Sequence, residues 1–363
     1  CTMIENIDIP VGTAEIGEAA FQNCTSLKQL NSNQDGVFNI PDAVTSISNY
    51  AFYSCSLASD ISLSDSVLSI GNYAFAECSL VDKFNSDIST NLIVPESCQE
   101  IGKYAFKGMA LMTDVVVSDS VESIGAGAFN GFNSLESITL PFIGGTDGAS
   151  DYTSVFGYIF GYKSVSSGTS GAISGNETVS DLFFNRQYSS VTDGAIWQFS
   201  RVSYRQSSSW YDLTSYYYYI PASLKNVAVT LDTTIPAAAF NGCTMIENIN
   251  ISTSAESIGV AAFQNCTSLK RLNSNSDGEF NIPQTVNAIS DYSFYSCSLA
   301  SNISLGDSVT SIGKYAFALC SLVDGFNADE TTKLIIPSSC QSIGVYAFKG
   351  MALMTDVVVS DSV

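Results

Sequence analysis

The sequence predicts an α/β solenoid, in which short coils stack to form a ladder of parallel strands with short helical turns. The pattern I-G-x-x-A-F-x-x-C recurs ten times, and its marker phenylalanines are 23 or 31 residues apart, except for one gap of 111. Fixed periods of this size are typical of repeat proteins whose units contact only their neighbours. The ten markers are Phe21, Phe52, Phe75, Phe106, Phe129, Phe240, Phe263, Phe294, Phe317 and Phe348.

Each 23-residue unit is predicted to form one coil. The segment Ser134–Pro141 alternates apolar and polar residues, as a half-buried strand does, and its proline ends the strand. Residues 65–71 predict a second buried segment that ends in a glycine turn. Residues 72–78 are too few for an isolated helix, but they predict a helical turn that buries Phe75 and Cys78. One coil cannot cover its own apolar face, so the coils must stack.

The chain also repeats on a larger scale. Residues 1–121 and 243–363 are identical at about three quarters of positions, with an offset of 242 residues. We therefore divide the chain into first-copy coils at 1–141, an insertion at 142–223, and second-copy coils at 224–363. Because the chain starts and stops inside the pattern, we expect the array to continue in the parent protein, or copies to abut end to end.

The consensus unit, L-x-x-I-x-L-P-x-S-V-x-x-I-G-x-x-A-F-x-x-C, resembles the BspA-like leucine-rich repeat family. The resemblance covers all of the chain except about residues 142–223. The chain departs from the family pattern where alternate units carry eight extra residues. It implies a right-handed coil and an extracellular, cell-surface or secreted protein of bacterial type. It also implies an adhesin or binding scaffold without catalytic residues.

Composition excludes several classes of function. The net charge of −21 disfavours nucleic acid and anionic membranes as partners, because like charges repel. The sequence has no run of 18 apolar residues, so direct membrane insertion is not expected. It also lacks histidine, the usual general base at neutral pH, and contains no nucleophile motif. We therefore predict that the protein is not an enzyme.

The ten cysteines follow the repeat. Eight of them occupy the last position of the pattern, which Met109, Phe132 and Met351 occupy in other units. A position that accepts Cys, Met and Phe is an apolar packing site. Buried free thiols are the favoured interpretation, and a ladder of disulfides is the alternative. Without CxxC pairs or histidine, a zinc site is not expected.

The eight-residue insertions contain a candidate calcium site. The pattern N-x-N-x-D-G-x-F-N is similar to the first nine positions of an EF-hand loop. The closing glutamate is absent, however, and Asn and Asp are also ordinary turn residues, so structural turns are the favoured interpretation. We expect no cofactor apart from this candidate calcium site. Its ligands would be Asn31, Asn33, Asp35 and Asn39 in the first copy, and Asn273, Asn275, Asp277 and Asn281 in the second.

The insertion at 142–223 differs in composition from the coils. Residues 141–230 contain 10 of the 18 tyrosines, both tryptophans and three of the four arginines. Alternating stretches predict a small β subdomain. Its aromatic residues either pack the subdomain against the coils or form a contact surface, where Tyr, Trp and Arg are favoured. The candidate binding residues are Trp197, Arg201, Tyr204, Arg205, Trp210, Tyr211, Tyr216, Tyr217, Tyr218 and Tyr219.

Two functions remain open from the sequence. In the first, the coils are a cell-surface scaffold and the aromatic insertion binds a protein or glycan on a cell or matrix surface. In the alternative, the tandem copies are modules of an extracellular filament or surface layer, and the partner is a further copy of the same chain. A catalytic function is disfavoured for the reasons given above.

Overall fold

The fold is known from a computed structural model. It describes residues 3–31, 37–55, 60–86, 88–150, 153–166, 195–207, 210–273, 280–297, 302–327 and 332–363. The chain divides into two compact units. The first comprises residues 1–147, 158–162 and 221–224, and the second comprises residues 148–157, 163–220 and 225–363.

The coils of the first unit are built from short parallel strands. One ladder joins β4, β6, β8, β9, β11 and β13, and a second joins β2, β5, β7, β10 and β12. Strand β1 pairs with β3. The strands are β1 (Asn6–Ile7), β2 (Glu15–Ile16), β3 (Gln29–Leu30), β4 (Phe38–Asn39), β5 (Ser46–Ile47), β6 (Asp60–Ser62), β7 (Ser69–Ile70), β8 (Lys83–Phe84), β9 (Asn91–Ile93), β10 (Glu100–Ile101), β11 (Asp114–Val116), β12 (Ser123–Ile124) and β13 (Ser137–Leu140).

The insertion contains longer strands. A 3₁₀-helix spans Phe156–Phe160, and three strands follow it: β14 (Tyr162–Ser166), β15 (Ala195–Ser207) and β16 (Trp210–Pro221). They form one sheet in the order β14-β16-β15. Only two residues separate β15 from β16 in sequence, and a connection that short joins only antiparallel strands. The two strands therefore form a hairpin.

The second unit repeats the two parallel ladders. One ladder joins β18, β20, β23, β25 and β28, and another joins β22, β24, β26, β27 and β29, while β17, β19 and β21 pair in sequence. The strands are β17 (Asn226–Val229), β18 (Thr234–Ile235), β19 (Asn248–Asn250), β20 (Ser257–Ile258), β21 (Arg271–Leu272), β22 (Phe280–Asn281), β23 (Ala288–Ile289), β24 (Asn302–Ser304), β25 (Ser311–Ile312), β26 (Gly325–Phe326), β27 (Lys333–Ile335), β28 (Ser342–Ile343) and β29 (Asp356–Val358).

A column of phenylalanine rings forms the core of each unit. In the first unit the marker rings stack from Phe21 to Phe129 with centroid distances of 5.2, 5.3, 6.1 and 5.8 Å. In the second unit the rings from Phe240 to Phe348 stack at 5.4, 5.0, 5.2 and 5.8 Å. Offset aromatic stacking at these distances adds to the burial of apolar area. The predicted stacking of the repeat units is thus confirmed within each unit.

The segment predicted to be a helical turn is instead a pair of tight turns. In residues 71–78, Tyr73 and Glu77 have positive φ angles of 56° and 62°, and a right-handed helix does not pass through such residues. Alternate amides bond along the stack: the N–H groups of Tyr73, Phe75 and Glu77 donate to carbonyl groups of the next coil at 2.9, 2.8 and 2.6 Å. The prediction of helical turns was therefore wrong in detail, because bonding between coils replaces bonding along a helix.

The first unit continues past Pro141 into the insertion. The N–H groups of Gly127 and Phe129 donate to the carbonyl groups of Tyr158 and Ile159 at 3.0 and 2.9 Å. The bond from Phe129 to Ile159 matches the bonds that Phe75 and Phe106 make to the alanine of the next coil, so Ile159-Phe160 takes the place of the repeat's A-F. Phe160 keeps the regular spacing of 31 residues from Phe129, but Phe156, Ile159 and Lys163 stand where the pattern has Gly, Ala and Cys, and this hides the coil in the sequence.

Candidate functional site

A polar groove lies on the strand-bearing face of the first unit. It has a volume of about 470 Å³ and lies where β4, β6 and β9 meet the connection after β8. Inward-pointing apolar residues hold the strands, and Ile61 and Phe84, for example, are fully buried. Alternate residues of a strand point to opposite faces, so the residues between them face the groove. We call it the strand-face groove, lined chiefly by Asn39, Asp60, Ser62, Asn85, Ser86 and Ile93.

The groove combines one ion pair, Asp60 and Lys83, with neutral polar groups. Asp60 lies opposite Lys83 in the strand register, and the Asp60 Oδ2 to Lys83 Nζ distance is 3.9 Å. Asn39 lies opposite Ser62, and Asn39 Nδ2 donates to the Val37 carbonyl at 3.4 Å. Hydroxyl and amide groups therefore surround one carboxylate whose charge a lysine partly offsets.

Asparagines at the ends of the strands have a structural role. Asn85 Oδ1 accepts a hydrogen bond from the Leu63 N–H at 3.3 Å, and Asn327 Oδ1 accepts one from the Leu305 N–H at 2.7 Å. Both asparagines have a φ of 53°, in the left-handed region that asparagine tolerates better than most residues. This position fastens each of these coils to the preceding one.

The predicted calcium ligands include two asparagines of this same class. Asn31 Oδ1 accepts a hydrogen bond from the Ile9 N–H, and Asn273 Oδ1 accepts one from the Ile251 N–H at 2.7 Å. Asn39 and Asn281 lie in β4 and β22. The other four predicted ligands, Asn33, Asp35, Asn275 and Asp277, lie outside the described residues. Within the described part of the chain, no three His, Cys, Asp or Glu residues cluster as a metal site would require.

The predicted aromatic contact residues fall on the hairpin. Trp197, Arg201, Tyr204 and Arg205 lie in β15, and the remaining six lie in β16. The prediction for Tyr218 was wrong. It was predicted to lie on the contact surface, but its side chain is fully buried and packs in the interior. Tyr219 is half-buried. Because alternate residues of a strand point to opposite faces, the neighbours Tyr218 and Tyr219 differ in environment.

The repeat cysteines form a ladder of thiols inside each unit. Cys55 Sγ donates to the Phe21 carbonyl of the preceding coil at 2.9 Å, and Cys297 Sγ does the same to Phe263 at 2.8 Å. Burial raises the pKa of the Cys55 thiol to about 12 and that of Cys98 to about 11. Among the described residues, the following thiols are buried and in no disulfide: Cys55, Cys78, Cys98, Cys243, Cys266, Cys297, Cys320 and Cys340.

A stack of tyrosines is a feature that the sequence interpretation missed. Tyr50, Tyr73 and Tyr104 stack with ring centroids 5.0 and 5.1 Å apart, and Tyr292 stacks on Tyr315 at 5.0 Å. The signal was present, because a tyrosine precedes A-F or S-F in six of the ten repeats. Each ring covers its neighbour's face, so the stack reinforces the coils and presents mainly ring edges.

The architecture defines a class of protein, a repeat scaffold built from coils with two parallel strand ladders. The family model described as "BspA type Leucine rich repeat region (6 copies)" matches residues 1–87, 36–141, 82–160 and 323–363, more than half of the chain. The chain belongs to this family, and the resemblance stated from the sequence is confirmed.

Solved structures with similar folds are bacterial repeat proteins. A leucine-rich repeat protein from Bacteroides ovatus is 23% identical, with 98% of this chain and 79% of that chain covered and a TM-score of 0.40. A leucine-rich cell surface protein from Faecalibacterium prausnitzii is 22% identical, with coverage of 99% and 80% and a TM-score of 0.32. The pneumococcal vaccine antigen PcpA is 15% identical, with coverage of 99% and 79% and a TM-score of 0.32. No curated protein sequence matches the chain significantly.

Proposed function

We propose that the chain is a non-catalytic binding scaffold of an extracellular or cell-surface protein, with its main contact surface on the β15–β16 hairpin. One observation carries this proposal. Strands β15 and β16 span 13 and 12 residues, whereas the strands of the coils span two to four. A hairpin of this length, rich in Tyr, Trp and Arg, has the composition of protein and glycan contact surfaces.

The coils suit the role of a rigid support. Each one is fixed to its neighbours by strand pairing, by amide bonds between turns and by the ring column. Function in repeat proteins is carried by segments set on such a scaffold. Among the described residues no helix has both the length and the apolar character needed to cross a bilayer.

The contact surface is tested by replacing tryptophans of the hairpin. The chain and its Trp197→Ala and Trp210→Ala variants are assayed on arrays of mucins, matrix proteins and glycans. We expect binding of the parent chain and at least about tenfold weaker binding of one variant, the loss typical of an interface hot spot. Tyr346→Ala is the matched control, since Tyr346 is a coil aromatic with 57% exposure. Equal loss in the control, or binding unaffected by either tryptophan, would contradict the proposal.

Self-assembly is the second candidate function. The internal duplication favours it, because residues 243–363 repeat 1–121 and a tandem module is a natural unit of a filament. Light scattering and electron microscopy of the purified chain at micromolar concentration separate the two functions. Ordered polymers that the hairpin variants abolish would support the filament, whereas monomers that bind an array ligand would support the scaffold.

A further inference from the structure

We propose that the strand-face groove of the first unit binds a neutral saccharide. This site shares no lining residue with the hairpin, and the proposal does not depend on the hairpin surface. Its volume of about 470 Å³ lies within the range of small-molecule sites. All the lining residues named above belong to the first unit and are among those described.

The lining groups match the chemistry of a sugar. Neighbouring hydroxyl groups of a saccharide each donate and accept a hydrogen bond. Asparagine offers both functions in one planar amide, serine offers both on one oxygen, and an aspartate accepts two bonds at once. Asn39, Ser62 and Asn85 provide the neutral groups beside the Asp60 carboxylate. Ile93, opposite Val116 in the register and half-exposed, provides an apolar surface for the C–H face of a sugar ring.

The charges around the groove favour a neutral ligand over an ionic one. The chain carries a net charge of −21, so sulfated or sialylated glycans are repelled. A divalent cation would need several anionic oxygens, but the named lining residues include one carboxylate, and Lys83 Nζ lies 3.9 Å from it. One paired carboxylate among neutral groups is suited to hydrogen bonding with hydroxyls.

The second copy provides a natural comparison for this chemistry. Asn281, Ser304 and Asn327 are the counterparts of Asn39, Ser62 and Asn85, but Asn302 replaces Asp60 and Gly325 replaces Lys83. A Cβ atom on Gly325 would lie 2.9 Å from Asn302 Oδ1, so the asparagine side chain occupies space beside the missing lysine. The ion pair of Asp60 and Lys83 is therefore specific to the first copy, and we assign the site to that copy alone.

The test uses the full chain and a panel of neutral oligosaccharides, each paired with a sulfated or sialylated form. We expect at least one neutral oligosaccharide to bind with a stoichiometry of one, measured by isothermal titration calorimetry. Asp60→Ala removes the charged acceptor and should weaken binding at least about tenfold. Asn302→Ala, the matched control at the equivalent position of the second copy, should leave binding unchanged. Circular dichroism melting curves establish that both variants are folded.

Several results would overturn the inference. These are binding of the sulfated or sialylated forms alone, binding that Asp60→Ala does not change, or no binding of any neutral oligosaccharide. Binding abolished by Trp210→Ala but kept in Asp60→Ala would move the sugar to the hairpin. Binding that appears only with added calcium, and is lost with chelator, would replace the saccharide proposal by a metal site. Asn39→Asp is the second variant, to be used if Asp60→Ala does not fold. It keeps the side-chain volume of Asn39 but removes the amide donor, so it should also weaken binding.

Discussion

The two copies of the large repeat, residues 1–121 and 243–363, share a core but differ on their surfaces. The stacking rings, the buried isoleucines and the thiols recur at equivalent positions, whereas Asp60 and Lys83 become Asn302 and Gly325. Val115 shows what stacking contributes: it is 1% exposed beneath the next coil, while its counterpart Val357, in the last described coil, is 61% exposed. Burial by neighbours fixes the core residues, and the outward positions remain available for specificity.

The largest expected effect is the loss of a core ring in either copy. Phe75 and its counterpart Phe317 each stack between two rings and meet a third edge-on, so Phe75→Ala and Phe317→Ala should each cost about 3–5 kcal/mol. Hydrogen exchange resolved by peptide measures the local stability of each unit. The exposed pair Leu80 and Leu322 provides the control substitutions. A large difference between the two phenylalanine variants would break the equivalence of the cores.

Alkaline pH should destabilise both copies through their thiols. Burial raises the folded-state pKa of Cys55 to about 12 from an ordinary value of 9.0, and burial also raises the pKa of Cys78. Above pH 9 the thiols ionise in the unfolded chain but stay protonated in the folded one. Stability is therefore complete below pH 9 and falls as pH rises towards 12, by up to about 1.4 kcal/mol per pH unit for each thiol.

The contribution of a single thiol is isolated by Cys78→Ala. The variant should be less stable at pH 7, because it leaves a cavity, but its stability should fall less steeply with pH than that of the parent chain. Urea unfolding between pH 7 and pH 10.5 measures both quantities. Parallel curves for the two proteins would show that Cys78 titrates alike in the folded and unfolded states.

Introducing the ion pair of Asp60 and Lys83 at the equivalent positions of the second copy should give that copy a groove like the first. The double variant Asn302→Asp with Gly325→Lys introduces both charged groups, and the close contact of Gly325 is only with a flexible side chain. Isothermal titration with the saccharide that binds the first copy should then give a stoichiometry of two instead of one. A stoichiometry that stays at one would show that the pair alone does not define the groove.

The smallest expected effect concerns an ion pair present in one copy. Lys107 Nζ lies 2.7 Å from Glu77 Oε1, and this hydrogen bond raises the pKa of the lysine. The second copy has Leu319 instead of the glutamate, and Lys349 Nζ lies 5.2 Å from the Tyr346 ring centroid. Because both partners of the pair are exposed, Glu77→Leu should cost less than about 1 kcal/mol in urea unfolding and lower the pKa of Lys107 in an NMR titration. A larger cost would mean that Glu77 supports the turn itself.

Much of the fold follows from the sequence because burial imposes a strict spacing. The ten marker rings, the strand positions and the apolar cysteine site were predicted from periodicity, and the structure confirms them. The helical turns were wrong, since no local propensity reveals that Tyr73 N–H bonds to the next coil. The coil formed by Tyr158 and Phe160 keeps the 31-residue spacing from Phe129, but it was missed because Phe156 and Ile159 replace the Gly and Ala of the pattern. The strand-face groove was missed because its lining residues come from several coils and share no motif.

The bonds between turns have a further electrostatic consequence. In the first unit, the N–H groups of Tyr73, Phe75 and Glu77 all point towards the following coil, as do those of Phe21 and Phe52. Peptide dipoles that point the same way add, as they do in an α-helix. The dipoles of these turn peptides therefore add along the stack, negative towards the earlier coils and positive towards the later ones. The N–H groups of Gly71 and Gly102 donate back to the carbonyl groups of Ile47 and Ile70 and offset part of this field. Two such columns attract head to tail and repel head to head.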